Sequence, residues 1–150
     1  MTSRPDSPLT EQSFSSTSVA DTLSIAADFA RELKASDVVC LYGDLGAGKT
    51  HFVKGIARYL GLPEEQVQSP TFSLIHEYGG NPPLYHFDMY RLESLEQALE
   101  IGVEDYLYDA GICVVEWPER IESLLPSSYW MVQIKQLSPN ARSIRIGRAS

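Results

Sequence analysis

Eight consecutive residues, Gly43-Asp44-Leu45-Gly46-Ala47-Gly48-Lys49-Thr50, meet the pattern G-x-x-x-x-G-K-[ST] with no deviation. The chemistry such a segment can do is to hold phosphate oxygens. Its glycines let the backbone wrap with N–H groups pointing inward. A helix that follows directly adds its positive N-terminal end. Lys49 is suited to bridging the β- and γ-phosphates of a nucleotide, and the Thr50 hydroxyl to ligating Mg²⁺. At average residue usage a chain of this length matches the pattern by chance roughly one time in 200. The pattern therefore points to ATP and Mg²⁺, with all eight loop residues as contacts.

Such a loop needs acids to hold the metal and activate water. Two stand at the ends of apolar runs. Glu116 follows Ile112-Cys113-Val114-Val115, and Asp88 follows Leu84-Tyr85-His86-Phe87. Carboxyl ends of strands are where α/β sheets place ligands. Side chains alternate along a strand, so His86 and Asp88 share a face. Either acid could instead serve as a helix cap or a surface charge. His86 beside an acid reads as a hydrogen-bonded structural residue. His51 and His76 have no supporting constellation and read as structural or solvated.

The elements that must position these residues follow from periodicity and punctuation. Residues 1–12 are rich in Ser, Thr and Pro and read as a flexible tail, leaving 13–150 as one domain. Val19, Leu23, Ala26, Ala30 and Leu33 have helical spacing, and Ser18 with Asp21 forms a capping box. Val38–Tyr42 is a continuous apolar run of the buried-strand kind, leading into the glycine loop. Residues 49–60 form a helix ended by Gly61 and Pro63. Thr71–Tyr78 and Leu84–Asp88 read as strands joined by the turn Gly79-Gly80-Asn81-Pro82-Pro83. Ser94 opens a short helix that Gly102 closes. Gly111–Glu116 is a second buried strand, and Pro118 starts another helix that ends before Pro126. Tyr129–Leu137 and Arg142–Arg148 read as two last strands around Ser138-Pro139-Asn140. This order predicts an α/β fold of the P-loop NTPase type: a mixed, mostly parallel sheet flanked by helices, with an antiparallel edge.

Composition excludes several classes. The chain has 150 residues and a net charge of −8 from 12 basic and 20 acidic groups. An acidic chain is poorly suited to gripping a nucleic-acid backbone on its own. Arg142, Arg145 and Arg148 read as a solvated strand face. No apolar stretch is long enough for a membrane span, and no secretory signal is visible. The two cysteines, Cys40 and Cys113, lie inside apolar runs and read as small core residues, so the expected compartment is the cytoplasm.

Four segments together resemble the TsaE family (also called YjeE), the bacterial ATPase required for making threonylcarbamoyladenosine in tRNA. They are Leu41–Thr50, Ser69-Pro70-Thr71-Phe72, Tyr85-His86-Phe87-Asp88-Met89-Tyr90-Arg91-Leu92 and Val114-Val115-Glu116-Trp117-Pro118-Glu119. The resemblance runs from about Ser18 to about Ile146. The glycine loop alone is common, but its combination with the other three is specific. His51 stands where the family usually has Thr, and the N-terminal tail is longer than usual. The resemblance implies that Thr50 and Glu116 ligate Mg²⁺, that Thr71 lies near the γ-phosphate in a switch-like segment, and that Asp88 positions or activates water. It brings Ser18, Trp117 and Arg142 toward the nucleoside. It implies TsaD and TsaB as partners, whose transfer cycle is coupled to ATP turnover. A small-molecule kinase using the same loop is the alternative, though only about 100 residues follow the loop and no arginine cluster stands in them. A guanine-specific switch lacks its Asn-Lys-x-Asp stretch.

Overall fold

A computed structural model describes residues 11–67 and 74–149. Its centre is a sheet of seven strands: β1 (Glu11–Ser16), β2 (Val38–Tyr42), β3 (Ile75–Tyr78), β4 (Leu84–Asp88), β5 (Ile112–Glu116), β6 (Tyr129–Gln136) and β7 (Arg142–Ala149). Their spatial order is β1-β7-β6-β2-β5-β4-β3. β6, β2, β5 and β4 are mutually parallel. β3 on one side and β7 with β1 on the other pair antiparallel, so both edges are antiparallel where the sequence predicted one.

The parallel strands are buried on both faces because helices cover both. One layer holds α1 (Val19–Ala30) and α2 (Lys49–Tyr59). Phe29, Phe52, Val53 and Ile56 pack there against Val39, Leu41, Val114, Val132, Ile144 and Ile146. Each large side chain buried in this way contributes about 1.5–3 kcal/mol. The two helices approach closely: a Cβ on Gly55 would lie 2.5 Å from both the Ala26 Cβ and the Leu23 carbonyl oxygen. The other layer holds α3 (Leu95–Glu100), α4 (Val103–Leu107) and a 3₁₀ segment, Pro118–Leu124. Leu92, Ala98, Val103, Leu107 and Ile121 cover Val38, Cys40, Phe87, Cys113, Val115 and Met131. Both cysteines are free and buried, and burial pushes both thiols up, Cys113 to about 12. They are core residues, as their context predicted.

Local signals set most boundaries. Ser18 accepts a hydrogen bond from the Asp21 N–H at 3.0 Å, and Asp21 accepts one from the Thr17 N–H at 2.9 Å. Ser94 caps α3 by accepting from the Gln97 N–H. Gly102 closes α3 and, at φ 83°, opens α4, a separate helix that the sequence does not signal. The segment after Pro118 is 3₁₀ with a break at Ile121 rather than one helix. Glu11 and Gln12, which composition places in the tail, pair instead with Gly147 and Ile146. That pairing is tertiary, so local composition could not show it. Of the strand predicted over Thr71–Tyr78, Ile75–Tyr78 forms β3, and residues 71–73 lie outside the described residues. Among the described residues no helix is long and apolar enough to cross a membrane.

Candidate active site at the carboxyl edge of the sheet

The glycine loop joins the end of β2 to the start of α2, so it sits at the carboxyl edge of the parallel strands. Gly48 occupies the position before the helix at φ 106°, a left-handed conformation that favours glycine. The N-terminal end of α2 therefore faces the loop. Lys49 is only 5% exposed. Its Nζ donates to the Gly43 carbonyl at 2.6 Å and lies 4.2 Å from the centre of the Trp117 ring. Burial lowers its pKa, while the acids Glu116, Asp88, Glu119 and Asp44 push it back up.

Strand pairing brings the acids to this loop. In the β4–β5 register Asp88 stands opposite Glu116, and Glu116 also stands opposite Leu41 in β2. Leu84 and Val114, each an even number of residues away on these strands, pack into the α1–α2 layer, so Asp88 and Glu116 share the face that carries α2. Asp88 is partly buried, and burial raises its pKa. The Tyr90 N–H, which bonds its Oδ1 at 3.0 Å, pulls the other way, Glu116 adds to the rise, and His86 and Lys49 oppose it. Glu116 is 3% exposed and accepts at Oε2 from His86 Nε2 at 2.6 Å.

Lys49, Thr50, Asp88, Glu116, Trp117 and Arg142 line one cavity of about 260 Å³, together with Leu45, Gly46, Gly48, His51 and Tyr90. Trp117 takes a left-handed backbone, φ 58°, and packs against Tyr90 with ring centres 4.9 Å apart and planes tilted by 47°. Tyr90 is a site residue that sequence reasoning does not single out; its place after Asp88 in the loop leaving β4 is the signal that marks it. A larger cavity of about 640 Å³ lies between Gly43, Asp44, Leu45, Ala47 and the β6–β7 turn. It touches none of Lys49, Thr50, Asp88 and Glu116, so the smaller one is where reactive groups converge.

The remaining candidates divide. Ser18 caps α1 and also lines a small cavity beside the loop with Gly48, His51 and Arg142. Thr71 and the Ser69–Phe72 motif lie outside the described residues. The three arginines do not form one face. A spacing of three flips direction on a strand. Arg142 donates from Nε to the Ala47 carbonyl at 2.8 Å, pinning the loop. Arg145 points the other way and pairs with Glu11. Arg148 stacks on Trp130.

A phosphate-type loop between strand and helix, with acids at the ends of two neighbouring parallel strands, defines an α/β protein of the P-loop type. Comparison with known proteins narrows this: the chain belongs to the TsaE family, whose model, threonylcarbamoyl adenosine biosynthesis protein TsaE, matches residues 16–144. The tRNA threonylcarbamoyladenosine biosynthesis protein TsaE of Treponema pallidum (strain Nichols) is 44% identical over 131 residues, covering 87% of this chain and 96% of its own. That of Bacillus subtilis (strain 168) is 43% identical over 125 residues, 83% and 77% of the two chains. The crystal structure of Bacillus subtilis YdiB superposes with a TM-score of 0.76 at 35% identity, covering 93% of this chain and 86% of that one. The family's role lies in biosynthesis of threonylcarbamoyladenosine in tRNA.

Proposed function

We propose that the chain hydrolyses ATP with Mg²⁺ in the cytoplasm, as the subunit whose turnover drives the cycle of a TsaD–TsaB transferase complex. The observation that carries this reading is the single cavity shared by Lys49, Thr50, Asp88 and Glu116. The residues fit both ligands. The N-terminus of α2 and the buried ammonium of Lys49 suit a polyphosphate. A hydroxyl and two carboxylates are the hard oxygen donors that Mg²⁺ takes. Bound there, Mg²⁺ neutralises charge on the transferring phosphoryl group.

The chain's own residues have separate tasks. Residues Gly43 to Thr50 hold the phosphates, with Lys49 on the terminal ones. Thr50 and Glu116 hold the metal. Asp88 orients the attacking water and accepts its proton as the new P–O bond forms and the bond from the γ-phosphorus to the bridging oxygen breaks, with ADP as the leaving group. Its raised pKa makes it a stronger base than an exposed Asp. The family resemblance assigns Thr71, outside the described residues, a role toward the γ-phosphate, and Ser18, Trp117 and Arg142 a role toward the nucleoside. Phosphoryl transfer relies on stabilising spread charge, to which partner proteins often contribute. Phosphate release measured with no acceptor should therefore be slow for the chain alone and rise with purified TsaD and TsaB. Fast release that the partners leave unchanged contradicts the coupling; ADP formation that requires a metabolite acceptor identifies a kinase instead.

A further inference from the structure

The carboxylate of Glu116 is held from the side away from solvent. His86 is fully buried, and its Nε2 is 2.6 Å from Glu116 Oε2. Along β4 and β5 the bond is diagonal: His86 pairs with Val114, and Asp88 pairs with Glu116. The other ring nitrogen, Nδ1, is buried with no partner among the described residues. An unpartnered buried N–H there is costly, so the ring proton belongs on Nε2, donated to the carboxylate. His86 does not line the cavity, whereas Glu116 does. Its neighbours on the same face of β4 and β5 include Leu84 and Val114, both in the apolar core. An aliphatic side chain would fill such a place without leaving a nitrogen unpaired. What the imidazole adds is the single bond to Glu116.

We propose that His86 is a positioning residue: by fixing Glu116 Oε2 it presents the remaining oxygen, Oε1, to the metal-holding cavity. The inference rests on the reading of Glu116 as a metal ligand under Proposed function. A glutamate left to itself samples several rotamers, and fixing it costs conformational entropy. His86 holds one arrangement before any metal arrives. Hydrogen-bonding partners behind a ligating carboxylate typically change metal affinity about 10- to 100-fold.

The test uses Mn²⁺ as the probe, titrated into the ADP-bound chain and followed by electron paramagnetic resonance. ADP binding in EDTA and the thermal midpoint are measured in parallel. His86→Leu keeps the volume and removes the donor. His86→Gln keeps an N–H that reaches Glu116. The expected result is Mn²⁺ affinity weakened about 10- to 100-fold in His86→Leu and retained in His86→Gln, with ADP binding in EDTA unchanged in both. Equal Mn²⁺ affinity in parent and His86→Leu overturns the inference, as does an equal loss in the two variants. Should His86→Leu fold poorly, His86→Asn, whose amide is too short to reach the carboxylate, takes its place: the same loss is expected of it, and parental affinity overturns the inference. A parent chain that binds ADP but no Mn²⁺ overturns the metal reading of the site itself, and the inference with it.

Discussion

Lys49 holds its ammonium against the Gly43 carbonyl and the Trp117 ring, with two carboxylates across the cavity. Replacing it with alanine removes the site's lysine cation and leaves the backbone of the loop in place. Lys49→Ala is expected to reduce ATP turnover about 100-fold or more, with the far-ultraviolet spectrum unchanged; a variant as active as the parent shows the loop to be a plain turn. Asp88 gives a prediction with a sign. Burial is the first cause of its raised pKa, so the folded chain holds the proton more tightly than the unfolded one. Ionising it therefore costs stability: nothing below the ordinary Asp range, and the full amount above the raised folded value. Asp88→Asn should raise the thermal midpoint at about pH 7, give no gain at about pH 3, and abolish turnover. Equal gains at both pH values contradict a buried, ionised Asp88. The loop residues and the two acids are legible in the sequence because motif and strand-end position are local properties. The service of His86 to Glu116 is not, since it depends on β4 lying beside β5, which no residue in either strand announces. The arginines mislead because a spacing of three suggests one face, whereas a strand turns alternate residues to opposite sides.

Helix α2 must lie flat on the sheet to aim its N-terminus at the cavity, and α1 presses it there. Gly55 is the contact point. Helix propensity alone favours alanine at such a position by about 1 kcal/mol. A Cβ 2.5 Å from the Leu23 carbonyl oxygen and the Ala26 Cβ forces the helices apart, at about 1–3 kcal/mol. The clash wins, so Gly55→Ala should lower the urea midpoint, and a stabilised variant refutes the close packing. Because α2 carries Lys49 and Thr50, nucleotide affinity should fall with it. Most elements are visible from punctuation: Ser18 and Ser94 as caps, Gly61 and Gly102 as stops, and apolar runs for β2, β4 and β5. Those missed or blurred are β1, which is polar and needs β7 as a template, and the α3–α4 break at Gly102.

At the scale of the whole molecule, charge and topology govern behaviour. The chain carries −8, and its C-terminal arginines are separated: Arg142 on the loop, Arg145 on Glu11, Arg148 on Trp130. Those three form no continuous basic groove. Filter binding of the isolated chain to tRNA at about 150 mM salt should therefore be weak and nearly independent of salt, because few counterions are released. Tight binding with a steep salt slope contradicts this and identifies a basic surface outside the paired arginines. The pairing of β1 with β7 joins Glu11 to Gly147, near the two ends of the described chain. Of the seven strands, β1 is made first and its template, β7, last. At about 5–20 residues per second, β1 waits roughly 6–25 s as an unpaired strand beside a growing polypeptide. The core around the glycine loop can assemble meanwhile, since β2, β4 and β5 precede β6. A ribosome stalled after β6 should then display a protease-resistant centre with a cleavable N-terminal strand. The edge of the sheet is closed only once β7 has been made.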